Sequence, residues 1–410
     1  MYLINIGFLV NVREQITLLR GADLAILPVL ENAYLKIQDD CIVDYGLMQE
    51  INPDEINDEI YDVKGAAVLP SWCDSHTHLV FAAYRESEFI DKIKGLSYAE
   101  IAAKGGGILN SAQKLQNTPK ENLLEQAQQR LDELIQLGTG AIEIKSGYGL
   151  SVEGELKMLR VIQQLKKQNS IPIKSTFLGA HAIPASFKDN KAGYISILTD
   201  ELLPKIAADN LADYIDVFCE NGFFTQAETE YICMKGMDYG LRAKIHANQL
   251  NRSGGVQAGV NVNALSVDHL ETIGEDEIAL LSYENAPVAT LLPSCSFYLR
   301  MHYAPARTLL EHNAAIALAS DFNPGSSPSG NMNFVLSLAC IQMKMLPEEA
   351  INAATVNGAF AMEVQDLVGS ITIGKKANLI ITKHISSLAF LPYAFGNNCI
   401  DKVMVNGKFI

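Results

Sequence analysis

Nowhere does the chain hold an apolar run of the roughly 18 residues needed to cross a bilayer. Its N-terminal stretch, MYLINIGFLVNVREQ, carries neither a basic leader nor a small-residue cleavage site. No membrane partner is expected, and the cytoplasm is the expected address. Positive charge is short as well: 32 lysines and arginines face 47 aspartates and glutamates, a formal net charge of −15. A phosphate backbone demands a basic surface, so nucleic acid is not an expected partner. The seven cysteines include no CxxC pair, which argues against a closed thiolate metal cage and for reduced, mostly buried thiols. Low-complexity tracts are missing too. With 48% apolar and 19% charged residues over 410 positions, the chain has the balance of one large globular domain plus a smaller one.

What is present is a change of pattern along the chain. Residues 1–66 read as short strands and turns; in AYLKIQDDCIVDYG apolar and polar positions roughly alternate around a turn at Asp39-Asp40. From 67 onward, short apolar runs are separated by stretches of helical periodicity, such as PKENLLEQAQQRLDELIQLG, started by Pro119 and stopped by Gly138. Eight segments read as core strands: AAVLPSWCDSHTHL, TGAIEIKSGYG, PIKSTFLGAHAIP, DYIDVFCENGFF, LRAKIHANQL, ALSVDHLE, PVATLLPSC and AAIALASDFNPG. Each starts apolar and ends in polar or chemically capable residues, the written form of an α/β (β/α)8 TIM-type barrel with its site at the strand C-termini. After helices around EEAINAATVNGAFAM, the tail GSITIGKKANLIITK alternates again. The expected organisation is therefore a barrel over 67–368 and a small β-sandwich formed jointly by 1–66 and 369–410.

His76 and His78, one residue apart at the end of the first core strand, point to one face and could share a metal ion. Alone, HxH is as readily a polar loop. But His181, His246, His269 and Asp321 also stand at strand ends, so five of the eight histidines track the tips that a barrel brings to one mouth. Nitrogen and carboxylate ligands without thiolate suit zinc or iron, and three histidines with one aspartate leave room for water. Cys73, at odd spacing from His76, points to the other face. Arg85 offers a planar fork for a carboxylate, and Tyr148 sits between glycines that let backbone approach a ligand. The turn DFNPGSSPSG places Asn323, Gly325 and Ser326 where N–H groups could meet an anion or amide. The run at 105–107 lacks the spacing of a phosphate loop and reads as a loop near the mouth.

With these residues assembled, the chain resembles the amidohydrolase superfamily and, within it, the imidazolonepropionase family. The stretches LPSWCDSHTHLVFAAYRESEF, AAKGGGILNS, EIKSGYGLS, FLGAHAIP, CENGFF, KIHANQL, LSVDHLE and ASDFNPGSSPSGNM carry the likeness in order, nearly end to end. The resemblance implies one zinc or iron ion held by His76, His78, His246 and Asp321. It implies substrate contacts from Arg85, Tyr148, His181, Asn323, Gly325 and Ser326. Dinuclear relatives bridge two ions with a lysine on the fourth strand; here that strand reads DYIDVFCENG, and Lys145 belongs to the second. Gln249 stands where some members of the family present glutamate; it cannot act as a base and is read as a substrate contact.

The reaction implied is attack of a metal-bound hydroxide on the ring carbonyl of 4-imidazolone-5-propanoate, opening the C–N bond to N-formimidoyl-L-glutamate. Asp321 would shuttle the proton while His269 and His181 stabilise the developing oxyanion. The alternatives are another mononuclear amidohydrolase, such as a cyclic-amidine deaminase, or an inactive scaffold barrel, against which no ligand is missing. A homodimer is expected.

Overall fold

The structure, a computed structural model, describes residues 1–96, 100, 104 and 106–410. Gly105, part of the glycine run noted above, lies outside the described residues.

The N-terminal alternation folds into β1 (Tyr2–Val10), β2 (Val29–Gln38), β3 (Cys41–Leu47), β4 (Ile60–Asp62) and β5 (Ala67–Pro70). Asp39 and Asp40 both take positive φ, 48° and 74°, and join β2 to β3 by a two-residue turn, the geometry that matches strand twist. The barrel strands follow as β6 (Trp72–Thr77), β7 (Thr139–Lys145), β8 (Ile173–Ala180), β9 (Tyr214–Cys219), β10 (Arg242–Ala247), β11 (Ser266–His269), β12 (Val288–Leu291) and β13 (Ile316–Leu318). From the C-terminal end come β14 (Leu379–Thr382), β15 (Ile400–Val405) and β16 (Lys408–Phe409).

The two chain ends make one mixed sheet in the order β16-β15-β14-β5-β1-β2-β3, with β4 paired to β1. Its strands alternate between two cores. Val68, Leu379 and Ile381 pack with Leu3, Leu35 and Met404 inside the small unit, whereas Leu69 and Ile380 join the main barrel core.

The stretch from 66 to 79, which reads as one strand, divides in two. Pro70 has no N–H to continue a ladder, and at Ser71 the chain changes sheets: Ser71 N donates to Asn378 O at 2.9 Å, and Trp72 N to Gly138 O at 2.8 Å.

β6 to β13 are parallel and neighbour one another in chain order, with helices such as Lys120–Gln136 and Val152–Gln168 between them. The helix read from the sequence after Pro119 spans Lys120–Gln136, and Gly138 follows it at φ +95°. The sheet closes on itself at the tips of its first and last strands. His78 N donates to Phe322 O at 2.8 Å and Asp321 N to His76 O at 3.0 Å. Just below, Asp74 accepts from Ser320 N at 3.0 Å and Ser320 Oγ at 2.6 Å. Barrel closure thus sets His76, His78 and Asp321 side by side. Among the described residues no helix is long and apolar enough to cross a membrane.

Candidate active site

At the tips of β6, β10 and β13, four buried ligand-type side chains converge. His78 Nε2 lies 3.4 Å from His246 Nε2, and Asp321 Oδ1 lies 3.6 Å from both His76 Nε2 and His78 Nε2. The edge of a tetrahedron of ligands about 2.0–2.1 Å from a central ion is roughly 3.3–3.4 Å. The spacing therefore fits a single cation. His76 Nε2 is buried without a hydrogen-bond partner among the described residues, as a nitrogen facing an ion would be. Cys73 packs with Ala141, Ala359 and Met362, away from this cluster.

Two carboxylates orient the imidazoles. His76 Nδ1 is 2.6 Å from Asp268 Oδ2 and His246 Nδ1 is 2.9 Å from Asp216 Oδ2, the outer partners that fix a ligating histidine's tautomer. Beneath them Lys145 Nζ binds Glu143 Oε1 at 2.6 Å and Asp216 Oδ2 at 2.9 Å, with Asp268 Oδ2 at 3.6 Å. Lys244 pairs with the other oxygen of Glu143 and donates to Ser75 O at 3.0 Å. Burial works against the Lys145 charge, but Asp216, Glu143 and Asp268 hold the ammonium above its usual range. Burial first, then Lys145 and the neighbouring imidazoles, pushes His76 and His78 well below the usual histidine range, leaving the neutral rings that ligation requires.

Non-glycine residues at the mouth hold left-handed backbone, among them His269 at φ 87°, Leu270 at 69° and Asp321 at 54°. Such conformations cost about 1–3 kcal/mol each and persist where surrounding bonds over-determine them. Here Asp321 N is tied to His76 O, and Leu270 N to Ala247 O at 3.1 Å. Burial opposes charge on His269, yet Glu271, 3.3 Å from its Nδ1, raises its pKa. His181 stacks on His78, centroids 5.2 Å apart at 20°, and burial first, then His246, depresses its pKa to about 3.

The rim residues are held by acids the sequence reading passed over. Glu88 Oε2 accepts from Arg85 Nε at 2.9 Å and Nη2 at 2.6 Å, while its Oε1 accepts from Gly107 N at 3.0 Å. Gly325 packs so close to Arg85 that a Cβ there would collide with Nη1. Glu155 gathers the Tyr148 loop, accepting from Gly147 N at 3.1 Å, Gly149 N at 2.7 Å and Leu150 N at 3.0 Å. That loop sets the Tyr148 ring 5.9 Å from His78 and 5.6 Å from His181. At Gly147, φ +107°, a side chain would meet His181 Nδ1 at 2.8 Å.

The DFNPGSS turn differs from its reading. Asn323 Oδ1 accepts both Gly325 N and Ser326 N at 2.8 Å, so those N–H groups serve the turn instead of standing open. Gln249 Nε2 donates to Cys295 Sγ at 3.3 Å. A signal for the orienting acids did exist: Asp216 and Asp268 interrupt the apolar strands DYIDVFC and LSVDH, and a buried carboxylate needs a partner.

The model of the amidohydrolase family matches residues 67–410. Relatives named imidazolonepropionase include one from Flavobacterium johnsoniae, 57% identical over 99% of this chain and 98% of its own length. Another, from Christiangramia forsetii, is 54% identical with the same coverage. Among solved structures, E. coli guanine deaminase superposes with a TM-score of 0.74 at 14% identity, covering 100% of this chain and 98% of that one. A zinc-bound adenosine deaminase from Xanthomonas campestris superposes at 0.69 and 17%, covering 100% and 92%. These two likenesses are of fold.

Proposed function

The chain belongs to the amidohydrolase family and, within it, to the imidazolonepropionases, hydrolases of a cyclic-amide C–N bond; from that premise we propose a division of labour among its site residues. His76, His78, His246 and Asp321 hold one zinc or iron ion, and the substrate is 4-imidazolone-5-propanoate, opened to N-formimidoyl-L-glutamate. The observation that carries this reading is the set of contacts linking the quartet, His78 to His246 at 3.4 Å and Asp321 to His76 and His78 at 3.6 Å, with the His76 and His246 rings held by Asp268 and Asp216. A bound ion of this kind supplies Lewis acidity and makes water nucleophilic near neutral pH.

The remaining steps belong to the chain's own side chains. Asp321 has two differently placed oxygens: Oδ1 faces the imidazoles, while Oδ2 lies 3.3 Å from Ser326 Oγ. One oxygen can ligate while the carboxylate takes the proton of the attacking water and returns it to the leaving ring nitrogen. His269, kept basic by Glu271, donates to the oxygen that gains charge, with His181 beside it. Arg85 and Tyr148 bind the propionate, Gln249 hydrogen-bonds the ring, and Asn323, Gly325 and Ser326 wall the site. Because Glu88 already bonds Arg85 through Nε and Nη2, its role is to aim the guanidinium, whose Nη1 lies against Gly325.

The test is ultraviolet loss of imidazolone propionate together with metal content on the same sample, and ammonia measured in parallel. Ring opening releases no ammonia. A metal-loaded preparation that leaves this substrate untouched overturns the assignment and reopens the deaminase reading.

A further inference from the structure

Adjoining the quartet, with His269 also within 4.8 Å of ligand atoms of His76 and Asp321, lies a second group of buried donor atoms. His269, Glu271 and Cys295 each offer one ligand atom, all within 4.8 Å of one another. They come from different elements: His269 ends β11, Glu271 follows in the next turn, and Cys295 lies in the helix Pro293–Leu299. Glu271 Oε1 sits 3.3 Å from His269 Nδ1 and accepts from Ser296 Oγ at 3.2 Å. Its Oε2 is buried without a hydrogen-bond partner among the described residues, although the side chain is only 1% exposed. A carboxylate oxygen left so is costly and calls for a partner. The Cys295 thiol, reached by Gln249 Nε2, completes a donor set of imidazole nitrogen, carboxylate oxygen and sulfur.

We propose that His269, Glu271 and Cys295 form a second, weaker site for a thiophilic divalent cation of the zinc class, and that its occupancy inhibits the enzyme. Sulfur with imidazole selects zinc-like ions over magnesium or calcium, which prefer oxygen. Three protein ligands against four, and a thiol proton to displace on entry, make this site the second to fill. The inhibitory effect rests on the reading of His269 as the donor to the developing oxyanion. An ion bound to its ring and to Glu271 takes that histidine away from the reacting oxygen. It also sets a further positive charge beside Asp321.

Cobalt separates the two sites because only one contains sulfur. Titrating metal-free protein with Co2+ should give visible d–d absorption with the first equivalent. The second should add a near-ultraviolet thiolate-to-cobalt charge-transfer band. Cys295→Ser should abolish that band and keep the d–d absorption. In parallel, excess Zn2+ should inhibit the one-metal enzyme. Cys295→Ser and Glu271→Gln, each normalised to its own one-metal activity, should need about a hundredfold more zinc for the same fractional loss. Glu271→Gln retains the thiol and keeps the test open if the serine variant fails to fold. A band absent after two equivalents, a band that survives Cys295→Ser, or zinc sensitivity unchanged in both variants overturns the proposal. Failure to bind even a first equivalent would instead count against the quartet.

Discussion

Asp268→Asn isolates the part played by the acids behind the quartet. The Asp268 carboxylate is buried and, among the described residues, lies 2.6 Å from His76 Nδ1 and 3.6 Å from Lys145 Nζ and accepts from Ser266 Oγ at 2.6 Å through Oδ1. Asparagine is isosteric and keeps one acceptor for the His76 N–H, so ring orientation can survive, but the charge that makes the imidazole a better donor to a cation is gone. Lys145 retains Glu143 at 2.6 Å and Asp216 at 2.9 Å, so its ammonium is not stranded and the fold should hold. Outer-shell losses of this kind cost about 10–100-fold in metal affinity, or about 1.4–2.7 kcal/mol.

Chelator competition on the wild type and the variant measures that loss directly, and activity at saturating metal should recover most of its value. Asp216→Asn provides the contrast. Asp216 bonds His246 Nδ1 at 2.9 Å, His246 N at 3.1 Å and Lys145 at 2.9 Å, so its removal takes away the nearer cross-barrel carboxylate of the buried lysine and leaves it Glu143 at 2.6 Å and the more distant Asp268 at 3.6 Å. Breaking a buried pair in this way costs about 3–5 kcal/mol. Urea denaturation should therefore separate the two variants. Equal metal affinity in Asp268→Asn and wild type would refute the orienting role.

Asp321→Asn should keep the fold yet lower kcat by about 10²–10⁴, the usual worth of a proton-transfer group; full turnover would end the shuttle assignment. Gly325→Ala, which drives a methyl into Arg85 Nη1, should raise KM as Arg85→Ala does and leave metal content unchanged; an unaltered KM in both separates Arg85 from the substrate. Burial lowers the Lys375 ammonium to about 8. A depressed lysine binds its proton more readily when unfolded, so between about pH 8 and 10.5 its contribution to stability rises with pH, by at most about 3 kcal/mol. Lys375→Met should remove that rise from urea midpoints measured across the window; an unchanged pH slope contradicts the burial argument.

The sequence exposed the histidines of the candidate site and hid the acids hydrogen-bonded to them, and the reason is physical. His76, His78, His246, His269 and Asp321 stand at strand ends, and a barrel carries every strand end to one mouth, so a local pattern decides a long-range arrangement. The acids act across the barrel, between residues such as His76 and Asp268 that lie 192 positions apart, and no local period encodes such a pairing.

Pro70 shows the same limit at the level of the fold, since a change of sheet at Ser71 depends on which neighbour supplies the next hydrogen bond. Asn323 shows it at the rim. A carboxamide in a polar turn can face a ligand or satisfy its own backbone, and here Gly325 N and Ser326 N claim its oxygen. The turn is therefore braced by its own carboxamide. Since Gly325 is also the residue against which Arg85 rests, the turn and the guanidinium form one packed surface, and on the proposed role of Arg85 specificity for the propionate would lie in a contact between chain segments far apart in sequence.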